Sequence, residues 1–305
     1  MAIIDTTAKL QKYLPVTGTF KIENVLPFVA DAQDKYMRRY LGAALLAEMD
    51  KYVTDGTLPT WDGKTGELVA LALGGLMPYA ENALTAFAFY LATPTLDVKI
   101  TDSGFAVISN NSTLAPASAE RVKKFRESIE ETGFARIETL LLFLEGNKTN
   151  YPSWANSAAC TLSQRNLVNS TEVFDEILDI NQSRLTFQKL RPELDNVEIL
   201  QIEPVISTAF ADVLRAQIQE GLITADNVKV LKPLRKAVVY LTAGIALDAK
   251  YTVRGTQFLA ETKKILDGNP DLYPIYRDSD CYDSTKTSYS QFENLEGNQT
   301  FVFGG

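Results

Sequence analysis

The chain contains no histidine. That absence excludes a Ser-His-Asp or Cys-His nucleophile, a histidine general base tuned near neutral pH, and any histidine-containing zinc site. Cysteine is nearly absent as well. Cys160 and Cys281 lie far apart and form no CxxC pair, so neither a disulfide scaffold nor a thiolate metal site is indicated, and a reduced, intracellular protein is expected. Basic charge is in deficit: 30 Lys plus Arg stand against 38 Asp plus Glu, a net charge of -8. A protein that wraps nucleic acid needs the opposite balance to release counterions from phosphates. Long apolar runs are missing too. Ala70 to Tyr79 and Leu84 to Ala92 are the most apolar stretches, and they are too short to span a bilayer and broken by Gly74, Gly75 and Pro78. Met1 to Asp5 lacks the basic and apolar regions of a signal peptide, so a soluble chain with no membrane partner is expected.

What is present is enough apolar material for two cores: 305 residues, 46% of them hydrophobic. Residues 22 to 53 carry Ile22, Val25, Leu26, Val29, Ala32, Tyr36, Tyr40 and Leu41 at helical spacing, with a bend expected at Gly42. Asp55-Gly56, Pro59 and Asp62-Gly63 predict a loop up to Gly66. Glu67 to Tyr90 is apolar nearly all round, the mark of a buried central helix that Pro94 is expected to end. Leu96 to Thr101 alternates apolar and polar residues, Asp102-Ser103-Gly104 follows, and Phe105 to Ile108 resumes. That pattern predicts a β-hairpin near 96–108. Ser118 to Leu144 returns to the helical period, with a break expected at Gly133.

The polar, turn-rich stretch 146–171 reads as a linker between a first domain, 1–145, and a second, 172–276. The second half reads as a divergent repeat of the first. Leu26-Pro27 falls over Arg191-Pro192 at an offset of 165 (192 minus 27), which also carries Leu41, Leu45 and Met49 onto Ile206, Phe210 and Leu214. Pro78 matches Pro233, and Lys99 to Gly104 matches Lys250 to Gly255, predicting a second hairpin. Chance alignment of two amphipathic helices is the competing explanation. Residues 277–305 read as a polar arm tipped by Phe301-Val302-Phe303, suited either to strand addition on a neighbour or to a frayed tail or a last strand folded back on its own domain. The fold class expected is therefore mainly α: two similar helical-bundle halves, each with a protruding β-hairpin, and an extended C-terminal arm.

No constellation for chemistry stands out, and no catalytic, cofactor-binding or metal residue is assigned. Glu127, Glu130, Glu131 and Glu138 alternate with Lys123, Lys124, Arg126 and Arg136 as on a solvated helix face. Asp278, Asp280 and Asp283 lack the glycine and distal glutamate of a calcium loop. Gly74-Gly75 has no following Gly-Lys-Ser/Thr and reads as close helix packing or a helix break rather than a phosphate loop. Arg38-Arg39 and Arg121 to Arg126 read as solvated or inter-subunit charge. Trp61 and Trp154 read as core plugs or interface anchors.

The run Leu26-Pro27-Phe28-Val29-Ala30-Asp31-Ala32-Gln33-Asp34-Lys35-Tyr36, with Tyr40-Leu41-Gly42-Ala43-Ala44-Leu45 after it, resembles the opening helix of tailed-phage head-tail connector proteins. It is similar in particular to an uncharacterised family from phages and prophages of gut bacteria, including crAss-like phages. The resemblance extends through Leu14-Pro15-Val16, Ala86 to Leu91, the hairpin Leu96 to Gly104 and the closing Leu140 to Glu145, and so covers roughly the first 145 residues. It implies a structural virion protein at the neck: a homo-oligomeric ring of about twelve copies, bound beneath the portal protein, contacting tail or further neck proteins, with DNA passing through the lumen unbound. An acidic lumen repels the phosphate backbone and lets it slide. In such a ring the hairpin residues Lys99, Ile100, Thr101, Asp102, Ser103 and Gly104 and the tip Phe301, Val302 and Phe303 are the expected interface. Simple connectors match one half of the chain only. The alternatives are a cytosolic helical adaptor and, more remotely, a carboxylate-based hydrolase.

Overall fold

The computed structural model describes residues 3–16, 20–96, 98–101, 104–107 and 118–282, with backbone alone for 98–101 and 104–107. The chain is mainly α-helical. It divides into two compact units, Met1–Arg165 with Asn169–Lys189, and Asn166–Val168 with Leu190–Gly305.

The described part of the first unit begins at Ile3-Ile4, both fully buried, followed by α1 (Thr7–Tyr13), capped by the Thr6 side chain accepting from the Lys9 N–H. α2 (Leu26–Ala32) starts with proline in its first turn, where no intrahelical N–H is lost. It runs through a π-helical step into α3 (Arg38–Asp55), which kinks at Gly42 and stops at Gly56 in the left-handed conformation. α4 (Gly66–Leu96) is the buried centre, with Leu73, Leu76, Leu84, Phe87 and Ala88 inaccessible. It passes Pro94 rather than ending there. The helix is in its final turn at that point, and the Thr93 and Thr95 hydroxyls bond the carbonyls of Phe89 and Ala92 (2.8 Å each).

α5 (Ala119–Gly146) packs along α4 without the break expected at Gly133. That glycine lets the two helices touch, since a Cβ there would lie 2.8 Å from Cε1 of Phe87. Phe87 is in turn stacked on Tyr36 at 4.1 Å and meets Phe134 edge-on at 5.2 Å. Between α4 and α5, β1 (Val98–Thr101) pairs antiparallel with β2 (Gly104–Val107), Lys99 opposite Ala106 and Thr101 opposite Gly104.

The stretch 146–171 is not a linker. α6 (Pro152–Ala155) and α7 (Ala158–Gln164) pack on α3, with Tyr151, Trp154 and Cys160 buried. Its turn-rich composition belongs to tight helix connections, and its aromatic residues anchor them. The Trp154 indole donates to the Tyr40 carbonyl (2.9 Å). α8 (Thr171–Asp175) and the start of α9 (Arg184–Val197), up to Lys189, also belong to the first unit, so the boundaries at 145 and 172 are displaced.

In the second unit, α9 continues through another π-helical step into α10 (Glu203–Ile206), α11 (Thr208–Glu220) and the central α12 (Ala225–Ala246). The second hairpin expected at Lys250 to Gly255 is replaced by a short 3-10 turn, Ala249–Tyr251, leading directly into α13 (Thr252–Gly268). Here Gly255 has a packing role: its Cβ would lie 2.6 Å from Cγ of Leu241 on α12. α14 (Pro274–Arg277) closes the described chain. Of the arm 277–305, only residues up to Tyr282 are described.

Candidate functional site

The two halves share backbone irregularities that chance alignment of amphipathic helices does not produce. The π-helical steps Gln33–Met37 and Glu198–Ile202 lie 165 residues apart (198 minus 33). The same spacing relates the kinks at Gly42 (φ 75°) and Ser207 (φ 74°), and the left-handed helix ends at Gly56 (φ 72°) and Gly221 (φ 70°). π-helical insertions are rare and a positive φ is uncommon outside glycine, as at Ser207, so their coincidence in one register with the Gly42 kink and the glycine helix ends supports a duplicated element.

A second register, 122 residues (268 minus 146), covers the ends of the halves. Gly146-Asn147 and Gly268-Asn269 end α5 and α13, and each asparagine side chain donates to the carbonyl four residues back, Phe143 (2.8 Å) and Ile265 (3.1 Å). Tyr151-Pro152 and Tyr273-Pro274 follow. The two tyrosine hydroxyls bond the carbonyls of Ala72 (2.8 Å) and Asp226 (3.1 Å) near the starts of α4 and α12. Ser157 and Ser279 donate to the carbonyls of Trp154 and Tyr276, at 2.6 Å each. Gly133 and Gly255, the close-packing glycines, obey this spacing too.

Around the π-helical step the two copies have diverged in polarity. In the first unit the Gln33 amide donates to Asp50 (2.5 Å), and burial pushes the Asp50 carboxyl above its usual range. These two residues, with Ala30, Asp34, Arg38 and Ala43, line a pocket of about 390 Å³. The equivalent pair in the second unit is Glu198 and Arg215, an ion pair at 3.0 Å. Arg215 also bridges Glu203 (2.8 Å) and Asp212 (3.0 Å). Glu198 is almost inaccessible and accepts the Leu167 N–H (2.8 Å); burial raises its carboxyl in spite of Arg215.

A second concavity, about 520 Å³, lies wholly in the second unit between the π-helical step, the Ser207 kink and the chain after α14. Ile199, Pro204, Ala209 and Ile275 supply its apolar lining, and Glu203, Asp278 and Asp280 its acidic rim. The Cys281 thiol donates into it, to the Pro204 carbonyl (3.4 Å).

The residues expected from sequence to form an interface are placed in part. Lys99, Ile100 and Thr101 lie on β1 and Gly104 on β2. Asp102, Ser103, Phe301, Val302 and Phe303 lie outside the described residues. Trp61 and Trp154 are both buried within the first unit, as core plugs. Glu138 is not on a solvated face: it pairs with the buried Arg184 (2.8 Å). Lys123 and Lys124 do form the expected exposed pairs, with Glu127 and Glu120. Sequence reasoning missed the groove at Ile199 and Ile275. The Gly-Asn-x-x-x-Tyr-Pro box, present twice in the sequence, is the signal that locates it.

Among the described residues no group of three Cys, Asp or Glu side chains is placed to hold a metal ion, and no helix is long and apolar enough to cross a membrane. A protein-family profile described as a family of unknown function, DUF6712, matches residues 76–164. That match runs from within α4 through α7. No curated protein and no solved structure matches the chain.

Proposed function

We propose that this chain is a structural virion protein, a head-tail connector whose copies form a ring between portal and tail around the DNA channel. The observation that supports assembly is the exposure of large aliphatic side chains on helices of both units. Leu71 on α4 is 75% and Val253 on α13 62% accessible. Aliphatic side chains left open on regular helices are the ordinary substrate of subunit packing. The β1–β2 pair adds two strand edges with no partner among the described residues, which suit main-chain pairing with a neighbour.

The connector reading itself rests on the resemblance of the opening helix, the hairpin and the closing helix. Net charge of -8 fits a conduit that passes DNA without gripping it. No catalytic role is proposed. The interface residues proposed are Lys99 to Gly104 and Phe301 to Phe303, reaching the portal or the adjacent copy.

Electron microscopy of the purified chain, alone and mixed with its portal protein, tests this reading. Closed rings that dock coaxially on the portal are expected, and deletion of residues 297–305 is expected to abolish ring closure or docking. An isolated monomer that binds a partner peptide identifies the adaptor alternative instead.

A further inference from the structure

The duplication makes each half a reference for the other, and it singles out two surfaces that set the second unit apart. The first is the groove of about 520 Å³ beside the Ser207 kink. Its aliphatic residues Ile199 and Ile275 are 56% and 42% exposed, and at the same two spacings the first unit holds Asp34 and Ser153. Its rim is acidic. Arg215 is shared between Glu198 and Glu203, Arg277 between Asp271 and Asp278, and Asp280 has no ion pair among the described residues.

The second surface is the tip where α12 turns into α13. The first unit carries the β1–β2 pair between the corresponding helices, whereas here the turn Ala249–Tyr251 joins them directly, and a Cβ at Gly244 would lie 3.0 Å from the Thr252 backbone N. Ile245, Leu247 and Val253 are left 54%, 53% and 62% exposed at this tip, and Val253 stands where the first unit has Glu131. The charge around them is basic. Lys250 lies over the Tyr251 ring (5.0 Å) and pairs with Asp248, while Arg254 lies over the Tyr240 ring (5.8 Å) and has no ion pair among the described residues.

Both surfaces belong to the second unit, and its helices hold them apart. Tyr273, at the root of α14, bonds the Asp226 carbonyl in the first turn of α12, whereas the tip is the last turn of that helix and the chain after it. The 22 residues of α12 span about 33 Å. A copy therefore cannot fill its own groove with its own tip.

We propose that the α12–α13 tip of one copy docks in the groove of a second copy, Leu247 and Val253 covering Ile199 and Ile275, with Arg254 facing the carboxylates of Asp278 and Asp280. Aliphatic surfaces left in water favour burial, and the opposite charge of the two rims selects tip against groove, since tip against tip or groove against groove sets like charges together. A contact between two different patches is heterologous. It repeats from copy to copy and closes into a ring where the rotation allows. The proposal rests on the reading of the chain as a self-assembling ring and names the contact that holds adjacent copies.

Sedimentation velocity of the full-length chain tests this with a tip variant, Leu247→Asp with Val253→Asp, and a groove variant, Ile199→Asp with Ile275→Asp. Each variant alone is expected to lose the wild-type oligomer, its self-association weakened at least about tenfold. Their equimolar mixture is expected to form a dimer and nothing larger, because one intact tip meets one intact groove. A variant that assembles as the wild type does overturns the proposal and leaves the ring reading standing, and so does a mixture of folded variants that stays monomeric. Open head-to-tail chains of the wild type, with the mixture still a dimer, uphold the contact and overturn ring closure. A wild-type monomer overturns both. Should the aspartates unfold the second unit, seen as lost hydrogen-exchange protection in α12, charge reversal decides: Lys250→Glu with Arg254→Glu is expected to weaken assembly, and adding Asp278→Lys and Asp280→Lys to the same chain to restore it. Failure to restore overturns the proposal.

Discussion

Gly42 and Ser207 hold nearly the same backbone, φ 75° and ψ 161° in one and φ 74° and ψ 143° in the other, at equivalent kinks 165 residues apart. Glycine adopts this conformation freely; serine does so under strain of about 1–3 kcal/mol. Ser207 is retained there with its hydroxyl capping α11, accepting from the Phe210 N–H (3.2 Å).

Ser207→Gly is therefore expected to stabilise the second unit by roughly 1 kcal/mol, strain relief outweighing the few tenths lost with the cap. Gly42→Ser is expected to destabilise the first unit by at least about 1–2 kcal/mol, because a Cβ there strains the backbone and meets Ser157 at 3.2 Å. Urea unfolding midpoints of the two variants, moving in opposite directions, check both.

The glycines between paired helices make a second pair of tests. Gly133→Ala drives a methyl against the Phe87 ring, and Gly255→Ala drives one against Leu241, whose backbone N is itself 2.9 Å away. Overpacking of this kind costs about 1–3 kcal/mol. Phe87→Leu is expected to rescue Gly133→Ala in part, measured as a non-additive double-mutant cycle, whereas no side-chain change at Leu241 fully rescues Gly255→Ala.

How far the fold was legible in the sequence depended on the kind of signal. The helices α2 to α4 and the kink at Gly42 follow from apolar spacing and turn residues. Pro94 and Gly133 misled because each was judged as a local breaker. The first sits in the closing turn of α4, and the second is required by the ring of Phe87, a residue 46 positions away (133 minus 87). The stretch 146–171 misled for a related reason: composition cannot show that Tyr151 and Trp154 are buried under long-range hydrogen bonds to Ala72 and Tyr40. The groove at Ile199 became visible only by comparing the two halves position by position.

Burial makes Glu145 a pH-dependent element of the first unit. Its carboxyl is pushed up to about 7, chiefly by burial, with Glu138 adding to the rise while Arg184, Gln164 and Lys148 oppose it. A folded-state value above the unfolded value of 4.5 means that folding favours the protonated form. The contribution is fully present below 4.5 and is lost as pH rises toward and through 7. Unfolding free energy is expected to fall over that window, and Glu145→Gln to remove most of the fall, in a series of urea titrations between pH 4.5 and 8.

The ion pair between Arg184 and Glu138, at 2.8 Å and with the guanidinium inaccessible, is expected to behave unlike the surface pairs. Arg184→Ala leaves a buried carboxylate without its partner, at a cost of about 3–5 kcal/mol. Lys124→Ala, which removes an exposed pair with Glu120 on the same α5, is expected to cost under about 0.5 kcal/mol. Thermal denaturation of the two single variants separates them.

The central proposal is that this chain works as an assembled ring. Native mass spectrometry of the purified full-length chain at near-physiological ionic strength measures that directly. One dominant closed oligomer of many copies, which persists on dilution to micromolar concentration, is the result predicted. A monomer under the same conditions, with or without the portal protein, would contradict it.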